Sequence, residues 1–225
     1  MDLSKSYEFF KPEKVTERIH IIGCGSVGST IAENLARCGI KKMTLWDFDK
    51  VEAHNIVNQM FRETDVGKTK VEALKDIILE INPDISDMEL KLKPNGWNGE
   101  MLSGYVFLAV DSIDIRRKIV EQHINNNNIK AMFDTRTLLT GAQLYAADWA
   151  EYKSKKDFLA TMQFSHEEAA AETPVSACGV TLGVATTVRI AAALSTNNFI
   201  RFVKEGKLWK LFIFDGFNGM FDCFE

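Results

Sequence analysis

The chain has 225 residues, 46% hydrophobic and 26% charged, with a formal net charge of −4. That is enough apolar material for one full core, and doubly wound folds often run to this length as a single unit. No basic tail or aromatic-basic interleaving supports nucleic-acid binding. No apolar run approaches membrane-spanning length, and Met1 to Glu17 lacks a signal-peptide core, so a cytoplasmic protein without a membrane partner is expected. The four cysteines, Cys24, Cys38, Cys178 and Cys223, have no metal-ligand spacing. Neither a disulfide framework nor a structural zinc is expected from them.

In chain order, a β-branched run predicts a strand from Ile19 to Ile22, followed by the loop Gly23-Cys-Gly25-Ser-Val-Gly28. A helix follows over roughly Ser26 to Cys38, with Val27, Ile31, Leu35 and Cys38 on one face and Gly39 as its stop. A second strand, Lys42 to Trp46, ends at Asp47, nineteen residues after Gly28. The polar, amide-rich stretch from Asp47 to Gly67 is too long for an idle turn. The next helix begins near Lys68, buries Val71, Leu74, Ile78 and Ile81, and ends at Asn82-Pro83-Asp84.

Further strands are read at Met88 to Leu92, Tyr105 to Val110 and Ile129 to Phe133, with helices between, the pattern of a parallel sheet. Gly141 to Trp149 then alternates like a half-exposed strand. Leu208 to Phe214 and Gly219 to Phe224 read as a terminal hairpin, extending the sheet antiparallel. Glu151 to Pro174 reads as a short helix and a mobile loop. The fold class expected is α/β: a Rossmann-like, doubly wound, mainly parallel sheet with an antiparallel C-terminal extension. It forms a single domain over 1–225, with residues 15–134 as its nucleotide-binding part and 135–225 as crossover loop, helix and extension.

The glycine loop has a chemical reading. Gly23 allows the turn out of the strand, Gly25 lets backbone approach a phosphate, and Gly28 lets the helix pack on the sheet. Backbone N–H groups at the helix N-terminus favour an anion, and an acid at Asp47 suits the two hydroxyls of a ribose. A glycine turn with no ligand is the bland alternative. Lys70, in a first helical turn, works against the helix dipole; a phosphate nearby explains it better than a solvated surface position does. An NAD-dependent oxidoreductase is the weaker nucleotide reading, because no nicotinamide-side catalytic pair is evident.

Gly23-x-Gly25-x-x-Gly28, Asp47-x-Asp49-x-Val51, Asn55, Gln59, Asp65-Val-Gly67-Lys-x-Lys70-Val-Glu and Ile81-Asn-Pro-Asp together resemble the ThiF/MoeB/HesA family, relatives of ubiquitin-activating enzymes. Tyr105-Val-Phe-Leu-Ala-Val110-Asp111 is similar to the family strand whose terminal aspartate binds magnesium, followed by a helix bearing an arginine, here Arg116. Val180-Thr-Leu-Gly183-Val-Ala-Thr is similar to the helix after the family's crossover loop, and Leu211-Phe-Ile-Phe-Asp215-Gly216 to its late strand.

The resemblance implies ATP-dependent adenylation of a carboxylate, giving an acyl-adenylate and pyrophosphate. The substrate implied is the Gly-Gly C-terminus of a small ubiquitin-like (ThiS/MoaD-like) protein; some relatives adenylate peptides or a modified tRNA base. It also implies a homodimer, for which the alanine-rich stretch Ile190 to Leu194 is one candidate contact. By carry-over Gly23, Gly25 and Gly28 face the nucleotide, and Asp47 holds the ribose as the first acid of the Asp47-x-Asp49 motif. Asn55 and Gln59 belong to the phosphate-side loop, Lys70 neutralises phosphate oxygens and Asp111 carries Mg²⁺. Capping and turn bonds are the ordinary alternative for Asn55 and Gln59. Cys178, just before a helix, is the candidate thioester cysteine, with a small buried thiol as its alternative.

Three departures stand out. Asn58 occupies the position of a family arginine and cannot replace a fixed cationic fork, although Arg62 and Lys68 lie nearby. The N-terminal arginine motif by which one subunit of relatives reaches the other's ATP site is missing, with Arg18 the nearest arginine. The paired CxxC zinc motifs of several relatives are absent. A catalytically weakened nucleotide-binding scaffold is therefore the alternative function. Arg136, after the Ile129 strand, has no firm role, and His20, His54, His123 and His166 have no paired spacing.

Overall fold

In the computed structural model residues 1–164, 167–168 and 182–225 are described. One sheet carries β1 (Ile19–Ile22), β2 (Met43–Trp46), β3 (Leu90–Lys93), β4 (Gly104–Leu108), β5 (Ile129–Thr137), β6 (Gly141–Asp148), β7 (Leu211–Asp215) and β8 (Met220–Phe224). Their order is β3-β2-β1-β4-β5-β6-β7-β8. The first five strands run parallel and the last three add antiparallel. After β1 the chain winds outward through β2 and β3, then returns to build the other side from β4, so the strand order reverses between β1 and β4. Ligands of open α/β sheets bind beyond the strand carboxyl ends at such a switch point.

The local sequence explains the elements. Every residue of β1, β2 and β4 is buried, as in a parallel sheet covered on both faces. The helices are α1 (Ser26–Arg37), α2 (Lys70–Ile81), α3 (Ile113–His123), α4 (Tyr152–Ala160) and α5 (Ala185–Glu205). α1, α2 and α5 cover one face, where Val27, Ile31, Leu35, Val71, Leu74 and Phe199 meet Ile21, Leu45 and Phe107. α3 and α4 cover the other, around Trp149, Phe158, Val106 and Met132. Phe107 stacks on Phe133 at 4.8 Å, and Phe199 meets both edge-on.

Boundaries differ from the sequence reading for visible reasons. α2 starts at Lys70, not near Lys68, because Lys68 and Thr69 are held extended by the Lys50–Thr69 bridge and by Val51 N–H on the Lys68 carbonyl at 2.9 Å. Thr69 then caps the helix, its hydroxyl accepting Glu72 N–H at 3.3 Å. Thr69→Ala is expected to lower stability by about 1 kcal/mol in chemical denaturation, without altering the far-UV spectrum.

β3 begins at Leu90 because the residues before it form a turn, Glu89 and Leu90 N–H both donating to the Ser86 carbonyl at 3.0 Å; the Met88 and Glu89 carbonyls there accept from Arg18, at 3.1 and 2.8 Å. Arg18 thus ties the amino ends of β1, β2 and β3 together, on the edge opposite the switch-point loops. β5 runs on to Thr137, since Asp134, Thr135 and Arg136 pair with Tyr145, Leu144 and Gln143 of β6. The division at 134/135 therefore falls inside a strand, and the two halves share one sheet. Of the Ile190–Leu194 stretch, Ala191 and Ala192 are wholly buried in the chain's own core, whereas Ala193 is exposed and Ile190 and Leu194 are partly so. Among the described residues no helix is long and apolar enough to cross a membrane.

Candidate functional site

The loops after β1, β2 and β4 converge at the carboxyl rim. Gly23 takes φ +92°, and a Cβ there would lie 2.7 Å from the Ala109 carbonyl oxygen. At Gly28 a Cβ would overlap the Gly23 carbonyl oxygen and press the Ala109 methyl. Gly25 is different: a Cβ there would meet nothing within 4 Å. Two glycines are thus required by the protein's own packing, and the third leaves open space at the start of α1. That helix has no side-chain cap and no acid in its first turn. Its uncapped N–H groups and the opening at Gly25 fit an anionic group.

A chain of polar contacts extends from this loop. Asp47, almost fully buried, accepts Cys24 N–H at 2.6 Å on Oδ2 and Asp49 N–H at 2.8 Å on Oδ1. Burial pushes its pKa up, against the Lys70 charge and the two backbone donors. Asp49 in turn binds Lys70 Nζ at 2.7 Å. The lysine side chain is only 9% exposed, whereas Asp49 is about half exposed. A buried ammonium with one half-exposed carboxylate retains two donor positions for further acceptors. Cys24 is not a nucleophile: burial drives its thiol pKa well up.

Asp111 lies three residues beyond β4 and is exposed. Among the described residues no group of three or more His, Cys, Asp or Glu could hold a metal ion. A single free carboxylate suits Mg²⁺, which is usually held by one or two carboxylates together with substrate phosphates. β4 stops early because the Val110 carbonyl is taken by Arg116, whose Nε donates at 2.8 Å and whose Nη2 also donates to it. Arg116 continues to Asp134 and to the Thr135 carbonyl, the latter at 3.1 Å.

The phosphate-side loop holds itself in shape. Asn55 Oδ1 accepts Glu52 N–H at 2.9 Å, closing a 3-10 turn over Ala53–Val57. Gln59 leaves Oε1 buried with no partner among the described residues. Asn58 Nδ2 reaches the Gly183 carbonyl at 3.3 Å, just before α5. Arg62 forks onto Glu80 at 2.6 and 2.9 Å, and Lys68 bridges Asp65 and Asp76 at 3.0 Å each. Neither cation stands in for the missing arginine.

Gly23, Gly25, Gly28, Asp47, Asp49, Lys70 and Asp111 therefore share one rim, while Asn55 serves its own turn. Cys178, His166 and the Val180–Thr181 pair lie outside the described residues. His20 and His123 are buried inside the fold and His54 is exposed. Sequence reasoning missed Asp134, fully buried between two arginines. The available signal was an acid continuing an apolar strand, with Arg136 two residues on along the same face.

Strand order, helices on both faces and a glycine loop opening at the switch point define a Rossmann-like α/β protein. Within that class the chain belongs to the ThiF family, whose model matches residues 13–224. Ubiquitin-like modifier-activating enzyme 5 of Caenorhabditis elegans is 42% identical over 74 residues, covering 32% of this chain and 18% of that protein. The Gallus gallus enzyme of the same name is 41% identical over 85 residues, covering 38% and 20%. Among solved structures, E. coli MccB with ATP aligns with a TM-score of 0.73 at 19% identity, over 94% of this chain and 64% of that one. PaaA gives 0.70 at 20%, over 95% and 65%. The matched stretch is thus about a fifth of the curated relatives and under two thirds of the solved chains.

Proposed function

We propose that this chain adenylates a carboxylate with ATP, the carboxylate being the C-terminus of a small ubiquitin-like protein or peptide. The observation that carries the reading is the rim itself: an open Gly25 beside uncapped helix N–H groups, a buried Lys70 held by Asp49, and a free Asp111. The family supports the same chemistry. In the reaction a carboxylate oxygen forms a bond to the α-phosphorus of ATP as the bond to pyrophosphate breaks. The attacking carboxylate is already ionised at neutral pH, so positioning and charge neutralisation matter more than a base.

On this reading the α1 N-terminus and Lys70 receive phosphate oxygens, Asp47 and its loop face the ribose, and Asp111 holds Mg²⁺. The metal, when bound, adds positive charge against the triphosphate. For the acceptor, the antiparallel extension offers one sheet face on which Tyr145, Leu211 and Phe224 stand in register, beside Ile213 and Met220. Met220 and Phe224 are exposed there. A Gly-Gly tail, a homodimer and a thioester at Cys178 belong to the same proposal by family resemblance.

A second reading, a nucleotide-binding scaffold with weakened catalysis, is favoured by one observation. Asn58 stands in place of the arginine and spends its amide on Gly183, while Arg62 and Lys68 are paired elsewhere.

Mg-ATP binding and carboxylate-dependent exchange of pyrophosphate into ATP test both readings. Lys70→Ala and Asp111→Ala are each expected to lower exchange at least about tenfold with folding retained. Near-normal exchange in both would reject their roles. Nucleotide binding without exchange for any acceptor would select the scaffold.

A further inference from the structure

Asp134 is a charged group in an expensive position. Its side chain is wholly buried in β5, with Arg116 on Oδ1 and Arg136 on Oδ2, the latter through Nε at 2.8 Å and Nη2 at 2.6 Å. Arg116 spends its remaining donors on the Val110 carbonyl and, at 3.1 Å, on that of Thr135. Arg136 lies over the Tyr145 ring at 4.5 Å and donates to the Thr161 carbonyl and hydroxyl at 2.7 and 2.8 Å, beyond α4. An ion cluster of this kind seldom stabilises more than packed apolar side chains would. Its distinctive product is geometric: the guanidinium of Arg116, fixed by Asp134, holds the backbone immediately before Asp111.

We propose that Asp134 is a positioning residue, acting through Arg116 to fix the Val110-Asp111 turn so that the Asp111 carboxylate is preorganised for a divalent cation carried by nucleotide. Asp134 itself touches neither. The proposal rests on the nucleotide reading above and deepens it. Preorganisation lowers the cost of ordering a ligand group at binding, so loosening the turn weakens the metal-dependent part of nucleotide affinity and spares the rest.

The experiment compares the whole chain with Asp134→Asn and Arg116→Lys. Lysine keeps the positive charge on Asp134 but cannot span Asp134 and the Val110 carbonyl as the planar fork does. It therefore decides the matter if Asp134→Asn fails to fold. ATP affinity is measured by calorimetry with Mg²⁺ and with EDTA, and amide exchange of residues 109–113 is measured without ligand. Each folded variant is expected to bind Mg-ATP about tenfold more weakly, to bind ATP in EDTA within twofold of the parent, and to exchange the 110–112 amides faster. A folded variant with unchanged exchange and unchanged Mg-ATP affinity overturns the proposal. So does an equal loss in both nucleotide conditions, the mark of a general structural defect. If the parent chain binds no ATP in either condition the nucleotide reading falls, while unchanged 110–112 exchange would separately remove the positioning role.

Discussion

Gly28→Ala is expected to cost about 3 kcal/mol or more in stability. Gly25→Ala, three residues away, should stay within about 1 kcal/mol of the parent. The difference lies in what each missing Cβ would meet. At Gly28 it would collide with the Gly23 carbonyl oxygen, a backbone atom that cannot rotate away, and crowd the Ala109 methyl just past the end of β4. Relief requires moving α1 off the sheet, and with it Val27 and Ile31. For a chain of this length the loss corresponds to a melting temperature lower by roughly 6–12 °C. At Gly25 the space is open, and a methyl added there meets no atom within 4 Å. The added methyl would occupy space left for a ligand over the α1 N-terminus, so Gly25→Ala should bind Mg-ATP at least about tenfold more weakly while melting nearly as the parent does. Parent-like affinity in that variant would move the anion site away from the loop.

That contrast marks what could be read from residues alone. The GxGxxG spacing implied three distinct duties, and the structure separates them as steric closure at Gly23 and Gly28 and open space at Gly25. Parallel strands were legible because burial on both faces leaves mostly apolar runs, broken only by His20 in Ile19–Ile22 and by Thr44 in Met43–Trp46. The end of β5 was not. Asp134-Thr135-Arg136 looks like a polar loop unless the arginines that neutralise Asp134 are known to come from α3 and from the strand itself. The start of α2 was misread by two residues for a similar reason. Lys68 and Thr69 have no local objection to helix, but a distant bridge to Lys50 holds them extended. Site residues chosen by motif arrived at one rim, yet what each touches depended on folding. Asn55 closes its own turn, Lys70 leans on Asp49, and Asn58 reaches a glycine far along the chain at 3.3 Å.

The second large effect is a loss of stability on mild acidification, traceable to His20. This histidine is 7% exposed within β1, and Trp46 Nε1–H donates to its Nδ1 at 3.2 Å, so the ring is neutral with its proton on Nε2. Burial, helped by the nearby Arg18 charge, lowers its pKa from 6.5 to about 4. Protonation would force an N–H against the indole N–H and place a charge in the core. The folded state therefore resists a proton that the unfolded chain accepts below about pH 6.5. Stability is unaffected by this group above that pH and falls as pH drops from 6.5 towards 4. Below 4 both states are protonated and the loss levels off, at about 3 kcal/mol at most. His123, whose pKa burial also lowers, acts in the same direction, and Asp47, raised by burial, opposes it. The His20 share is isolated by His20→Asn, whose amide oxygen can accept from Trp46 and carries no proton-binding site in this range. Urea unfolding at pH 7 and pH 4.5 should show the parent losing about 2 kcal/mol more than the variant between the two conditions. Parallel losses in the two proteins would mean that His20 is protonated in the fold, or shielded less than its burial implies.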